Sequence, residues 1–264
     1  MQVLSWKDTI IRYMGPSLEA TTLFQLCLPI GLYLGITSGA SWYWWLIAFF
    51  FYGIVYSMIG NNIALHRYFT HGHMTVTKSV EWFWAWCGSM IGLGDPVSFA
   101  ATHIVHHNPK YTDTKMDPHG PIRGIKSVLY YFQKPINVKE TPVMNRFFVK
   151  LSRKWGWLHR FYIPFVLVNA TILYLISYEV FLFCWFIPAS LSLWGISISI
   201  LRQHWNLKAN NCKTHKYEIL YEGLHLNHHL YPQSPNCAVN PGEIDWTYQF
   251  SRLFRPKYNE INKT

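Results

Sequence analysis

Residues 42–64, WYWWLIAFFFYGIVYSMIGNNIA, decide the fold class of this chain. They include no charged side chain, and about 20 apolar residues are enough for a helix to cross the hydrocarbon core of a bilayer. They lie in a window, residues 13–66, that contains no Lys or Arg, and residues 161–201 form a second such window. Each window is about twice as long as one span requires and has a weak turn signal near its middle. Each therefore predicts a helical hairpin.

The predicted spans are residues 18–38, 42–64, 161–177 and 180–201, so the chain is expected to be an all-α integral membrane protein with four transmembrane helices. All 23 Lys and Arg lie outside the two hairpins. The positive-inside rule then places both termini and the segment between the hairpins in the cytoplasm, at a bacterial inner membrane or an endoplasmic reticulum membrane. Residues 65–160 and 202–264 are expected to form a cytosolic helical cap, with the whole of 1–264 as one domain.

The composition agrees with this class. Hydrophobic residues make up 50% of the chain and charged residues only 14%, against about 25% charged in soluble domains. The alternative, a soluble helical bundle with a very apolar core, would have too few charges to cover its surface. The five cysteines have no metal-finger spacing and predict no disulfide framework. No cleavable signal peptide is expected.

The net charge of +10 is concentrated on the predicted cytoplasmic side. A basic face of this kind suggests anionic lipid headgroups, an acidic partner protein or a phosphate-bearing substrate. Nucleic acid is not expected as a partner of a membrane protein.

Most of the 13 histidines fall into repeated patterns. The pattern HxxHH places three imidazoles at i, i+3 and i+4 on one helical face, and neutral imidazole is the commonest metal ligand. One such triplet would be compatible with a solvated helix face, whereas two triplets and a further pair favour metal binding. HRYFTH contains His66 and His71, HIVHH contains His103, His106 and His107, HLNHH contains His225, His228 and His229, and His204 stands alone after the fourth predicted span.

The number and position of these histidines predict two metal ions at the cytoplasmic membrane boundary. A structural zinc takes about four protein ligands, so eight or nine nitrogen donors are too many for one ion, and nitrogen-rich sites suit iron or another late first-row metal. His66 and His71 are separated by about 500° of α-helical rotation and are expected not to share a helical face. Either the helix ends between them, or they bind two different metals. The residues alone thus predict a dimetal oxidase that acts on a lipid.

Three histidine motifs in this order, with apolar spans between them, resemble those of the integral-membrane fatty acid desaturases. The resemblance is greatest to the branch that introduces a first double bond into saturated acyl chains, and it covers nearly the whole chain. The motifs are residues 60–71, GNNIALHRYFTH; residues 103–119, HIVHHNPKYTDTKMDPH; residues 221–232, YEGLHLNHHLYP; and the closing segments EID at 243–245 and RLF at 252–254. Ile104, Phe99 and Ile200 depart from the charged residue, the Trp and the Asn that many or some relatives have at these positions.

This resemblance implies a mushroom-shaped fold and a delta-9-like acyl desaturase. It implies that dioxygen is reduced at two irons and that the electrons come from an external cytochrome b5-type or ferredoxin-type donor. The acyl chain would be carried on coenzyme A, on acyl carrier protein or in a glycerolipid. The implied iron ligands are His66, His71, His103, His106, His107, His204, His225, His228 and His229, where His204 is assigned only by its place after the fourth span.

Other residues are expected to support the site from outside the ligand set. We predict second-shell contacts to the histidines, and an acyl tunnel closed by side chains 12 and 16 residues before His66. Arg67 is expected to snorkel to the membrane boundary, with binding of a headgroup or an anionic carrier as the alternative, and Asp245 to form an ion pair within the cap. The predicted second-shell residues are Asn61, Asn62, Asp113, Asp117 and Asn227. The predicted tunnel residues are Phe50, Ile54, Trp82, Trp86 and Phe99, the two tryptophans having an interfacial amphipathic helix as the alternative.

Two other functions remain open at this point. A related membrane diiron hydroxylase, alkane oxygenase or carotenoid-type oxygenase would use similar histidine motifs but insert oxygen rather than form an alkene. A metal transport or storage protein is an alternative of a different class, although its histidines should line a path through the membrane.

Overall fold

The structure is a computed structural model that describes residues 14–112, 114, 117–118, 124–130, 146–205 and 208–259. Its long helices follow the apolar windows. Helix α1 covers Leu18–Thr37, with a break at Cys27, and α2 covers Tyr43–Thr70. Helix α6 covers Tyr162–Ile176, and α7 covers Tyr178–Gln203.

Shorter elements complete the described part of the chain. Helix α3 covers Lys78–Met90, α4 covers Pro96–His106, α5 covers Arg146–Arg160, α8 covers His225–Leu230 and α9 covers Trp246–Ser251. Single 3₁₀ turns lie at Gly124–Val128, His215–Tyr217 and Arg252–Phe254. The strands β1, Met74–Thr75, and β2, Lys257–Tyr258, pair in antiparallel fashion and connect the end of α2 to the C-terminal segment.

Three described helices, α1, α2 and α7, are long and apolar enough to cross a membrane. A fourth span arises only if α5 and α6 are taken together, and these two helices are bent by 61° at their junction. Helix α6 alone has 15 residues, about 22 Å, which is short for a hydrocarbon core of about 30 Å. The count of four spans therefore stays a prediction.

The outer faces of α1 and α6 are strongly apolar and exposed, as expected for surfaces that contact lipid. Such a broad apolar surface is unusual on a soluble monomer. Large exposed side chains include Leu23, Ile30, Tyr33 and Ile36 on α1, and Leu167, Val168, Ile172 and Leu175 on α6.

Helix α2 is the centre of the core and packs against α3, α4 and α7. From Phe51 to Thr70 it has π-type rather than α-type winding. Its contact with α3 is very close, since a Cβ added at Gly60 would lie 2.9 Å from the backbone oxygen of Cys87. This packing holds the C-terminal end of α2 rigidly beside the short helices that carry the other histidines.

Local signals in the sequence begin these short helices. Thr77 caps α3 by accepting a hydrogen bond from the backbone N–H of Val80. Asp95 and Ser98 form a capping box at the start of α4, with Pro96 in its first turn. Asp95 also accepts a hydrogen bond from Nδ1 of His159 at 2.9 Å, which connects α4 to α5. Helix α4 is thereby fixed before its histidines begin.

Candidate metal centre

The π-type winding of α2 brings His66 and His71 together. The backbone N–H of His71 donates to the carbonyl oxygen of His66, an i→i+5 hydrogen bond of 3.2 Å, and the two ring centroids are 4.9 Å apart. The helix ends at Thr70, between the two histidines. Of the two alternatives left open by the sequence, the structure therefore has the one in which the helix ends between the two histidines. The expected separation of the two rings assumed α-type rotation, whereas π-type turns are frequent at functional sites.

Nine histidines form two adjacent groups among the described residues, and the donor atoms within each group lie within 4.8 Å of one another. Every histidine implied as an iron ligand belongs to one of these groups. His66, His71, His103, His107 and His228 form the first group, and His106, His204, His225 and His229 form the second.

Helix α4 and His107, the residue that directly follows it, divide three histidines between the two groups. His103 and His107 belong to the first group and His106 to the second. At about 100° per residue, position i+4 lies about 40° from position i around the helix axis. Position i+3 lies about 60° from position i in the other direction. The triplet therefore faces two sites, not one.

Helix α8 repeats this division in reverse. His225 and His229 belong to the second group and His228 to the first. Each HxxHH motif thus contributes a pair to one group and a single imidazole to the other. His204, which directly follows α7, is buried and completes the second group.

The Nε2 atoms of the two groups converge at short range. His66 Nδ1 donates to Glu222 and His106 Nδ1 to Asp117, so in the neutral form of each ring the lone pair is on Nε2. Nε2 of His71 is buried and has no hydrogen-bond partner among the described residues. Nε2–Nε2 distances are 2.7 Å for His204–His225, 2.9 Å for His66–His228 and His106–His229, and 3.0 Å for His103–His107, His107–His228 and His225–His229. Converging lone pairs fit metal ions.

The protonation state of the imidazoles also fits a metal. Burial, reinforced by neighbouring histidines, holds the pKa of His71, His103, His225 and His228 well below its usual value. These rings are therefore neutral near pH 7, which is the form that coordinates a metal.

His106 and His66 each have a carboxylate on the Nδ1 side of the ring. Asp117 Oδ1 accepts the hydrogen bond of His106 Nδ1 at 2.7 Å, and Glu222 takes the same role for His66. Carboxylates in this position fix the tautomer and orientation of metal-binding imidazoles. Sequence reasoning missed Glu222, although an acidic residue three positions before His225, inside the third motif, was a usable signal.

Glu222 is also paired with Arg67. Its Oε1 accepts a hydrogen bond from Arg67 Nε at 2.5 Å. Burial alone would raise the pKa of Glu222, but Arg67 and His66 lower it to about 2. The carboxylate therefore stays ionised at neutral pH.

Arg67 does not snorkel to the membrane boundary, because it is only 1% exposed. Its guanidinium forms a bidentate pair with Asp245, at 2.9 and 3.0 Å. Asp245 also accepts hydrogen bonds from the backbone N–H groups of Cys237 and Tyr248, the latter at the start of α9. The expected ion pair of Asp245 thus exists, and it connects α2 to the C-terminal segment.

Asn61, Asn62 and Asn227, which were also predicted to contact the histidines, form hydrogen bonds with other groups. Asn62 Nδ2 donates to the carbonyl of Leu220 at 2.9 Å, and Asn61 Nδ2 to Oδ1 of Asn62 at 2.8 Å. Asn227 Nδ2 donates to the carbonyl of Cys237 and to Glu243, which fixes α8 against the segment that follows it. Asp113 lies outside the described residues.

A cavity adjoins both histidine groups. Its walls include the apolar side chains of Leu93, Phe99, Ile196 and Ile200. Polar walls are provided by Asn61, Asn62, Gln203 and Tyr221. Such a mainly apolar space with a few polar groups is typical of a small-molecule site.

Of the five predicted tunnel residues, only Phe99 lies against this cavity as the described residues enclose it. Phe50 and Trp82 are 53% and 51% exposed. Ile54 packs against the main core, and Trp86 donates its indole N–H to Asn169. The π-type winding of α2 changes which residues share a face with His66, and this affects Phe50 and Ile54. Trp82 and Trp86 lie on α3.

Comparison with known proteins points to one family. No protein-family model matches the chain. It is 28% identical to an acyl-CoA C20 Delta5-desaturase of Anemone leveillei over 89% of this chain and 79% of that protein. It is 28% identical to Delta-9 acyl-lipid desaturase 1 of Arabidopsis thaliana, over 76% and 70%. It is 26% identical to the sn-1 stearoyl-lipid 9-desaturase of Anabaena variabilis, over 94% of both chains.

These similarities extend over most of the chain. Eight of the nine converging histidines lie in the three histidine motifs, and the ninth directly follows α7. The chain is thus similar to fatty acid desaturases over most of its length.

Proposed function

We propose that this protein is a membrane fatty acid desaturase that uses dioxygen to introduce a cis double bond into a saturated fatty acyl chain. The observation that carries the proposal is the convergence of nine histidines in two adjacent groups beside a largely apolar cavity. Its family consists of oxidoreductases that act on fatty acyl chains.

The two groups are proposed to hold two iron ions. Neutral imidazoles with open positions suit iron among the first-row metals, and dioxygen activation is the chemistry that iron supplies when bound at such a site. The first group would provide five nitrogen ligands and the second group four.

The chain's own side chains prepare this site. Glu222 and Asp117 keep protons on Nδ1 of His66 and His106, so that Nε2 of each ring is directed at its group. Arg67 keeps Glu222 ionised. Leu93, Phe99 and Ile196 would exclude water from the methylenes that lie beside the histidines.

The reaction needs reactants from outside the chain. Removing one hydrogen from each of two neighbouring methylenes, together with two external electrons and two protons, reduces dioxygen to two waters. We propose a cytochrome b5-type or ferredoxin-type protein as the electron donor. The basic side of the chain suits such an acidic partner.

A saturated acyl chain bound through coenzyme A, acyl carrier protein or a glycerolipid is the proposed substrate. A double bond near the ninth carbon is supported by relatives named for that position, although the Anemone relative is named for the fifth. The proposed topology has four spans, α5–α6 providing the third, and both termini on the cytoplasmic side beneath a helical cap.

Expression in a desaturase-deficient host, followed by chromatography of the fatty acid methyl esters, tests the proposal. We expect new cis-monounsaturated esters and purified protein that contains about two irons per chain. The matched control is His228→Ala, which removes a nitrogen from the first group and should abolish the new esters. Hydroxylated esters would instead favour a hydroxylase, and metal uptake by vesicles without any new lipid would favour a transporter.

A further inference from the structure

Tyr221 lies between two of the apolar helices, although it belongs to the segment that leads into α8. The carbonyl of Leu220 accepts a hydrogen bond from Asn62 of α2 at 2.9 Å. The carbonyl of Glu222 accepts one from Gln203 of α7 at the same distance. These two bonds hold the backbone on both sides of Tyr221, so the direction of its side chain is set by α2 and α7.

The side chain of Tyr221 runs along the cavity and away from the histidines. Its hydroxyl contacts Gly195 of α7, and a Cβ added at Gly195 would overlap with it. The same hydroxyl forms a 2.7 Å hydrogen bond with the hydroxyl of Tyr52 on α2. The pair therefore bridges the two helices.

This bridge lies at the end of the cavity. On α7 the lining residues run from His204 back to Ile196, roughly 12 Å at the α-helical rise. The next residue toward the N-terminus of α7 is Gly195, where the Tyr221 hydroxyl takes up the space. The two hydroxyls form a hydrogen bond with each other. An apolar ligand that covers them therefore removes water from groups that already have a hydrogen-bond partner.

We infer that Tyr221 is the end wall of the acyl site and limits the length of chain that fits beyond the double bond. Its hydroxyl is held by the hydrogen bond with Tyr52 and has room there because Gly195 has no side chain. The inference rests on the proposed function and deepens it. The limit comes from the first residue of the third histidine motif, in contrast to the positions on α2 expected from the sequence. The same motif carries Glu222, so the wall and the metal centre are connected through one peptide bond.

The first test compares Tyr221→Ala with Tyr217→Ala in the desaturase-deficient host. Tyr217 lies in the same segment and is 84% exposed, so it is a matched control for the loss of a tyrosine. Tyr221→Ala should increase the yield from substrates with longer chains beyond the double bond. One added methylene in an apolar pocket changes relative kcat/KM by about tenfold or more. Tyr217→Ala should keep the unsubstituted profile.

The second test uses Gly195. Gly195→Ala should push the Tyr221 hydroxyl into the cavity and lower the yield from the longest accepted chain by about tenfold. The added Cβ would overlap with the hydroxyl oxygen and would lie 2.7 Å from Cζ of Tyr221. Adding Tyr221→Leu, which removes both atoms, to Gly195→Ala should therefore restore most of that yield. A merely structural effect of Gly195→Ala would not be relieved in this way. This pair also decides the matter if Tyr221→Ala fails to fold.

Retention of palmitoyl-, stearoyl-, icosanoyl- and docosanoyl-CoA by the purified protein provides a readout that does not need turnover. The preferred length should increase in Tyr221→Ala and decrease in Gly195→Ala. If the unsubstituted protein makes alkenes but all variants prefer the same acyl-chain length, the inference that Tyr221 is the end wall is wrong and the desaturase proposal stands. If no alkene forms but the binding profile shifts as expected, the proposed reaction is wrong and the wall stands.

Discussion

Glu222 is the residue on which the first histidine group most depends. It accepts hydrogen bonds from both His66 and Arg67, although Arg67 is 155 residues away in sequence. Arg67 in turn is shared with Asp245, so one buried cation is balanced by two carboxylates. Removing one charged side chain from such a buried set leaves the remaining charges without full compensation.

The substitution Glu222→Gln is expected to weaken binding of Fe²⁺ about 10- to 100-fold, because the anion that orients His66 is lost. Competition of the purified protein against a metal-binding dye measures this affinity. Glu218→Gln is the matched control, since Glu218 lies in the same segment and pairs with Arg202, at 2.5 Å. Equal affinities for the two variants would contradict the role of Glu222.

His204 is expected to bind metal although it belongs to no motif. It lies 2.7 Å from His225, Nε2 to Nε2, within the second group. His204→Ala should lower the iron content of the purified protein toward one ion per chain, whereas His215→Ala should leave it unchanged, because His215 is in neither group. Iron analysis by atomic emission checks this, and full iron content in His204→Ala would remove it from the ligand set.

At the scale of elements, the winding of α2 decides the geometry. A regular α-helix would separate His66 from His71, whereas the i→i+5 pattern brings both into one group. The same helix packs closely on α3, where Gly60 of α2 faces the backbone of Cys87. The position of α2 relative to α3 thus depends on the absence of a side chain at Gly60.

Gly60→Ala is expected to destabilise the protein by about 1–3 kcal/mol, because the added carbon meets backbone that cannot rotate away. Thermal unfolding in detergent measures the change. Gly156→Ala in α5 is the control, since a Cβ there meets no atom within 4 Å, and Ala should stabilise the helix by about 1 kcal/mol. Similar melting temperatures for the two variants would show that the α2–α3 contact tolerates a side chain.

At the scale of the whole molecule, the centre is assembled from α2, α4, the end of α7 and α8, with carboxylates supplied by the intervening segments. Because many imidazoles are buried, the stability of the folded protein depends on pH. The pKa of His71, His103, His225 and His228 is lowered in the folded state, and that of His73 to about 3. The unfolded chain therefore binds more protons than the folded chain once the pH falls below about 6.5.

The metal-free protein should accordingly lose stability as the pH falls from about 7 toward 5, by up to about 1.4 kcal/mol per pH unit for each such histidine. Stability should be fully present above the unfolded pKa of about 6.5. Chemical unfolding of chelator-treated protein at several pH values measures the slope. A flat profile across this range would mean that the imidazoles are accessible to protons in the folded state.

Local patterns in the sequence were enough to predict the mainly helical chain with helices long and apolar enough to cross a membrane, the histidines, and the similarity to fatty acid desaturases. Apolar windows and motif spacing act within one segment. The bounds of α1 and α7 agree with the predicted spans to within about two residues. Which imidazoles share a group, the burial of Arg67, the role of Glu222 and the placing of Tyr221 against Gly195 were decided only by tertiary structure. Each depends on contacts between residues far apart in the chain, which no local pattern in the sequence encodes.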